Sequence, residues 1–230
     1  SVSAEKIIET FPELPVNLYE ALKKSVSQHA EKTLLYDDRK KKYSYQEVLE
    51  KVDELAAFLY YVKSVRQGTH VGLLMYNCVE FCVAFLALSK LGAVTVPLPS
   101  KFKKAEVLPL IERAEVKVLI CDEDYTGWFK ERFAEKTVLT VTGVGERYGF
   151  ETVFQGWENR NTDIEETKRN KRGKTEDTAI IMFTSGTTSQ SKGVVLKNYN
   201  VMHAVEVYRR TLGITDRDIS VIATPIYHIT

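Results

Sequence analysis

Leu18, Leu22 and Val26 recur at helical spacing, which predicts a first helix ending near Glu31, Lys32 and Thr33. Leu34 to Tyr36 and Lys42 to Tyr45 flank the polar group Asp37, Asp38, Arg39 and Lys40, the pattern of a hairpin with a solvated tip. Ser44 followed by Glu47 spells a capping box, in which each side chain satisfies the other's free backbone amide; Val48, Val52, Leu55, Ala56 and Leu59 then continue one apolar stripe. Beyond this second helix the chain alternates. Val71 to Met75, Val94 to Val96, Lys117 to Ile120 and Val138 to Val141 read as strands, separated by helical stretches over Asn77 to Leu91, Ala105 to Glu112 and Tyr125 to Phe133. Asn77 and Glu80 are read as capping the helix they open.

Near-continuous apolar strands joined by helix-length segments are buried on both faces, so the expected fold class is α/β, with parallel-rich sheets flanked by helices. No internal period marks a repeat architecture. Residues 143–177 break the rhythm. From Asp163 to Asp177 five acidic side chains match five basic ones, so the Lys168 to Lys174 cluster has no net local field and reads as an exposed connector rather than a phosphate patch. Ala179 to Phe183 then returns to a strand-length apolar run.

Composition adds limits. At 44% hydrophobic and 27% charged residues, the 230-residue chain can bury a sizeable core. Its 32 Lys and Arg against 31 Asp and Glu give no general attraction to nucleic acid or an anionic membrane. Three cysteines form no disulfide framework; Cys78 and Cys82 sit one turn apart in an apolar segment and are read as small buried hydrophobes. No signal peptide is expected from residues 1–30, and the run from Phe81 to Leu88 is too short to cross a bilayer, so a cytoplasmic protein is expected.

The candidate chemistry lies after the Ala179 to Phe183 run. Thr184 to Gly193 packs six hydroxyl residues, two glycines and one lysine into ten positions. A phosphate chain needs close donors, backbone that approaches without a Cβ, and a mobile positive charge; this stretch has all three, although a polar turn uses the same residue types. A Walker loop does not fit: Ser191 rather than Gly precedes Lys192, Gly193 rather than a hydroxyl follows it, and Val194 to Leu196 reads as a strand where that loop opens a helix. An atypical phosphotransferase would need an acid at a strand end, for which Asp122 is the only passable candidate.

Phe183 to Gly193 resembles the signature of adenylate-forming (AMP-binding) enzymes, an aromatic residue followed by Thr-Ser-Gly-Thr-Thr-Gly-x-Pro-Lys-Gly. The strand, helix and Leu-Gly-Ala-Val-x-Val-Pro run over Val71 to Pro97, and the Thr224 to His228 segment, resemble the same family, so the likeness covers most of the chain from about Leu18 onward. Two positions depart: Ser189 stands where the family has glycine and Ser191 where it has proline, which alters backbone freedom without removing a charge or a hydroxyl donor.

The resemblance implies a carboxylic acid ligase of the acyl-CoA synthetase kind, using ATP, Mg2+ and coenzyme A, in which the acid forms an acyl adenylate before thioester formation. It implies that Thr184, Ser185, Gly186, Thr187, Thr188 and Lys192 hold the ATP phosphates and that His228 lines or gates the acyl pocket. It further implies a division into a first α/β lobe over 1–160, an exposed linker over 161–177 and the start of a phosphate-loop lobe over 178–230. The adenine contacts, the acidic magnesium ligand and the mobile C-terminal domain of the family are expected beyond Thr230, so the C-terminal remainder of the chain is the expected partner and the 230 residues alone are expected to be inactive. A non-catalytic binding or assembly module that keeps the fold is the competing reading.

Overall fold

The computed structural model describes residues 11, 13–129, 138–141, 164, 174–184 and 191–228. Asn17 accepts the Glu20 amide through its side chain and so starts α1 (Leu18–His29). A small antiparallel hairpin of β1 (Thr33–Tyr36) and β2 (Lys42–Ser44) follows, with Asp37 Oδ1 accepting the amides of Arg39 and Lys41 at its tip. Ser44 and Glu47 form the predicted reciprocal capping box at the start of α2 (Tyr45–Tyr61).

The main body is built on β3 (His70–Leu74), α3 (Val79–Leu91), β4 (Val94–Pro97), α4 (Lys104–Arg113), β5 (Val118–Asp122), β6 (Val138–Val141), β7 (Thr178–Phe183), β8 (Gly193–Lys197) and α5 (Asn198–Thr211). Six strands form one sheet in the order β6-β5-β3-β4-β7-β8, parallel throughout except that β8 runs antiparallel to β7 along the edge. This is the expected parallel-rich α/β fold. β7 and β8 continue the sheet begun by β3 to β6, with Thr95 of β4 registered on Ile180 of β7.

Strand alternation sorts the core into two layers. Val71, Leu73 and Met75 point with Val118 and Ile120 to the face covered by α1, α2 and α3. Leu74, Val96, Leu119 and Cys121 point to the opposite face, covered by Val107, Leu110 and Ile111 of α4. Gly72 lies on that second face, where a Cβ would meet Leu119 Cδ1 at 2.9 Å and Val116 Cγ1 at 3.2 Å; the missing side chain lets those residues converge. Gly92, at φ 66°, ends α3 in the left-handed conformation and turns the chain into β4.

Three expectations change. Helix α3 begins at Val79, not Asn77: its N-cap is Cys78 without a side-chain cap, Asn77 lies before the helix, and Glu80 stands in its first turn. The helix read over Tyr125 to Phe133 is a 3-10 turn at Glu123–Trp128, and residues 130–133 lie outside the described ones. Within the stretch read as an exposed connector, Ile164 is buried against the first core layer; most of 143–177 lies outside the described residues.

Candidate functional site

Strand order reverses between β3 and β4. From β3 the chain passes through α3 to β4 on one side, then through α4 back to β5 on the other. The crossover helices lie on opposite faces, so the carboxyl ends of β3 and β4 border the crevice where open α/β sheets take ligands. Three stretches emerge on that rim: Met75 to Asn77 after β3, Leu98 to Lys101 after β4, and Thr184 after β7. Asp122 at the end of β5 is not a free acid. Its Oδ2 accepts the Tyr76 amide at 2.6 Å and it is buried, so it ties the β3 and β5 ends together and offers no phosphotransferase acid.

The polar loop leaves and re-enters this rim. Phe183 faces Gly193 in the β7 to β8 register, the Thr184 amide donates to the Lys192 carbonyl at 3.1 Å, and Thr184 Oγ1 donates to the same oxygen at 3.4 Å. The loop is therefore the tip of a hairpin. Thr184 and Lys192 are exposed at its two stems, and among the described residues no carboxylate lies within ion-pair range of Lys192. Ser185, Gly186, Thr187 and Thr188 lie outside the described residues. Ser191 is only 2% exposed, and its hydroxyl has no hydrogen-bond partner among the described residues.

The Thr224 to His228 segment reaches the same rim through residues the sequence had assigned elsewhere. Asn77 Nδ2 donates to the Thr224 carbonyl at 2.8 Å, and Asn77 Oδ1 accepts the Ile226 amide at 2.8 Å. Both ends of one carboxamide thus clamp a segment 147 to 149 positions away. Ile226 packs on the first core layer, and Tyr227 is buried beside Ser100 and Lys101, which offset part of the upward push that burial gives its phenol. His228 is exposed, its amide donating to Pro225 O at 3.0 Å, with its ring 4.7 Å from that of Tyr227. An Asx side chain just before a helix start is spelled the same way whether it caps or clamps, which is why the role of Asn77 was not legible.

Asn77→Ala removes both bonds at once. The expected loss is about 1–2 kcal/mol of stability, measured by denaturant unfolding, with faster proteolysis confined to 219–228; Asn77→Asp should restore only the bond accepted from Ile226.

Among the described residues no group of three or more His, Cys, Asp or Glu side chains could hold a metal ion. Cys121 is buried while Cys78 and Cys82 are half-buried; burial, reinforced by Glu80, pushes Cys82 up to about 11, burial and Asp122 push Cys121 up to about 12, and Cys78 is also raised, by burial and then Glu80. A cleft lined by Leu18, Phe85, Thr95, Thr178 and Asn198 lies by the start of β7, at the opposite end of the strand from the loop. No described helix is long and apolar enough to cross a membrane.

Comparison with known proteins bears on this arrangement. The profile of the family described as AMP-binding enzyme matches residues 22–230. Crotonobetaine/carnitine–CoA ligase of Salmonella paratyphi B is 29% identical over 195 residues, which cover 82% of this chain and 37% of the ligase. The enzyme of the same name from Proteus mirabilis is 27% identical over 202 residues, with the same shares covered. The chain thus spans about 37% of the length of these relatives. Among solved structures, the inhibitor-bound N-terminal domain of FACL13 from Mycobacterium tuberculosis superimposes with a TM-score of 0.75 at 25% identity, over 92% of this chain and 52% of that one. ATP-bound MatB from Rhodopseudomonas palustris gives a TM-score of 0.78 at 25% identity, over 93% and 41%.

Proposed function

The chain belongs to the AMP-binding enzyme family, and from that premise we propose that it forms the phosphate-gripping part of an acyl-CoA ligase. In the reaction assigned, a carboxylate oxygen attacks the α-phosphorus of ATP and pyrophosphate leaves. The thiol of coenzyme A then attacks the acyl carbon of the adenylate, and AMP leaves. The observation that carries this reading is the β7 to β8 hairpin, closed at Thr184 and Lys192, which presents an exposed lysine with no carboxylate in ion-pair range among the described residues, at the rim beside the β3/β4 reversal.

Thr184, Ser185, Gly186, Thr187, Thr188 and Lys192 are assigned to the β- and γ-phosphates. Donors fixed there stabilise the charge that collects on departing pyrophosphate more than the charge on bound ATP, which is the condition for accelerating the step. Magnesium would supply further neutralisation of the phosphates; no described residue is assigned to it. His228, exposed on a segment clamped by Asn77, is assigned to the border of the acyl pocket, where it would shape access rather than transfer protons.

In the complete natural protein, acid-dependent exchange of pyrophosphate into ATP is expected with at least one member of a carboxylic acid panel that includes crotonobetaine and carnitine, the acids in the relatives' names. The 230 residues alone are expected to give none, and robust exchange by them would overturn the division of labour proposed. ATP binding by the complete protein without exchange for any acid would favour the competing binding module. Ser191 supports that competitor, because its hydroxyl is buried where the signature has proline.

A further inference from the structure

The root of the β7 to β8 hairpin has little main-chain pairing with the rest of the sheet. β7 is registered on β4 only at Thr95 and Ile180, whereas β3 is registered on β4 from His70 to Leu73 and on β5 from Val71 to Leu74. Phe183, the last residue of β7, stands past that pair, so its hold on the body falls to its side chain. The half-buried ring packs on the second core layer. It also lies across the first residue of β8, where a Cβ on Gly193 would stand 3.6 Å from Phe183 Cε1. Arg113, the last residue of α4, reaches the same ring, its guanidinium carbon 5.6 Å from the ring centre.

Arg113 is exposed and enters none of the ion pairs among the described residues. A cation in the last turn of a helix is favoured by the helix dipole, but a lysine would serve that purpose equally. A planar guanidinium within about 6 Å of a ring centre is drawn to the ring face and gives up its water more readily than an ammonium, so the contact with Phe183 is what an arginine adds here. Phe183 is followed directly by Thr184, whose amide closes the hairpin on the Lys192 carbonyl. A ring held by Arg113 therefore fixes the stem that presents Lys192. We propose that Arg113 is a positioning residue of the phosphate hairpin: through the Phe183 ring it anchors the Thr184 and Lys192 closure to α4, so that the donors stand ready for a phosphate chain. Groups already held in place lose less freedom on binding, and the gain appears as affinity. The inference rests on the ligase reading for what the hairpin grips, though not for its geometry.

Titration of the 230-residue chain with tripolyphosphate, beside denaturant unfolding of the same preparations, tests this. Arg113→Ala should weaken tripolyphosphate binding by about three- to tenfold while the unfolding midpoint stays near that of the unaltered chain. Arg113→Lys should recover only part of the affinity, since the charge returns without the planar face. Lys117→Ala removes the same charge from an exposed position nearby and should bind as the unaltered chain does. In a Phe183→Leu background, Arg113→Ala should cost nothing further, because the ring through which it acts is gone. Unchanged affinity in Arg113→Ala overturns the proposal, and a lowered midpoint with unchanged affinity overturns it by assigning Arg113 to the helix end alone. An equal loss with and without the Phe183 ring also overturns it, by making Arg113 a direct phosphate contact. The unaltered chain separates the two readings: if it binds tripolyphosphate while Arg113→Ala binds equally well, the phosphate hairpin stands and the positioning role falls, whereas no binding by the unaltered chain removes both.

Discussion

Lys192→Ala is expected to slow acid-dependent pyrophosphate exchange in the complete protein by roughly 10- to 150-fold, the equivalent of one charged hydrogen bond worth about 1.5–3 kcal/mol. Stability should hardly change. Lys192 is exposed on the hairpin stem, its backbone carbonyl rather than its side chain closes the hairpin, and no described carboxylate pairs with it. Lys192→Arg should recover part of the rate, since the charge persists but the planar guanidinium replaces a compact, rotatable ammonium. An unchanged rate in Lys192→Ala would remove this lysine from the phosphate site, whereas loss of folding would assign it to structure.

Asp53→Ala is expected to cost the fold most among exposed or half-buried polar positions. Asp53 Oδ1 accepts the Tyr19 hydroxyl at 2.8 Å and the Lys90 ammonium at 2.7 Å, joining α1, α2 and α3 through one oxygen. Lys90 is 10% exposed and also lies 5.2 Å from the Tyr19 ring centroid. Removing the carboxylate strands a largely buried cation and a buried hydroxyl. With Asp53 itself a quarter exposed, the low end of the range for a broken buried pair applies, about 3 kcal/mol in denaturant unfolding. Asp53→Asn keeps an acceptor for Tyr19 and should lose less. Tyr19→Phe removes only one partner, leaves the ion pair intact and should cost about 1 kcal/mol.

Much of this architecture was legible because the signals were local. The Ser44 and Glu47 capping box, the hairpin around Asp37 and the apolar runs of β3, β5 and β7 are set by neighbours a few positions apart. The hairpin of Thr184 to Lys192 was recognisable for the same reason, as a dense run of donors between two apolar strands. What failed depended on distant partners. Asn77 could not declare that its carboxamide holds Thr224 and Ile226, Asp122 could not declare that it accepts the Tyr76 amide, and nothing around Ile164 signals a buried contact. The 3-10 turn at Glu123–Trp128 was misread as helix because its aromatic residues pack against Tyr76 and the second core layer, not along a helical stripe.

Phosphate held by the loop between β7 and β8 is what the proposed ligase chemistry depends on. Backbone amide resonances of the 230-residue chain, followed during separate titrations with ATP, tripolyphosphate and adenosine, test it without requiring turnover. ATP and tripolyphosphate are both expected to shift Thr184, Lys192, Gly193 and the loop between them, while adenosine leaves them in place. Shifts elsewhere on ATP addition, with residues 184–193 unmoved, would contradict it.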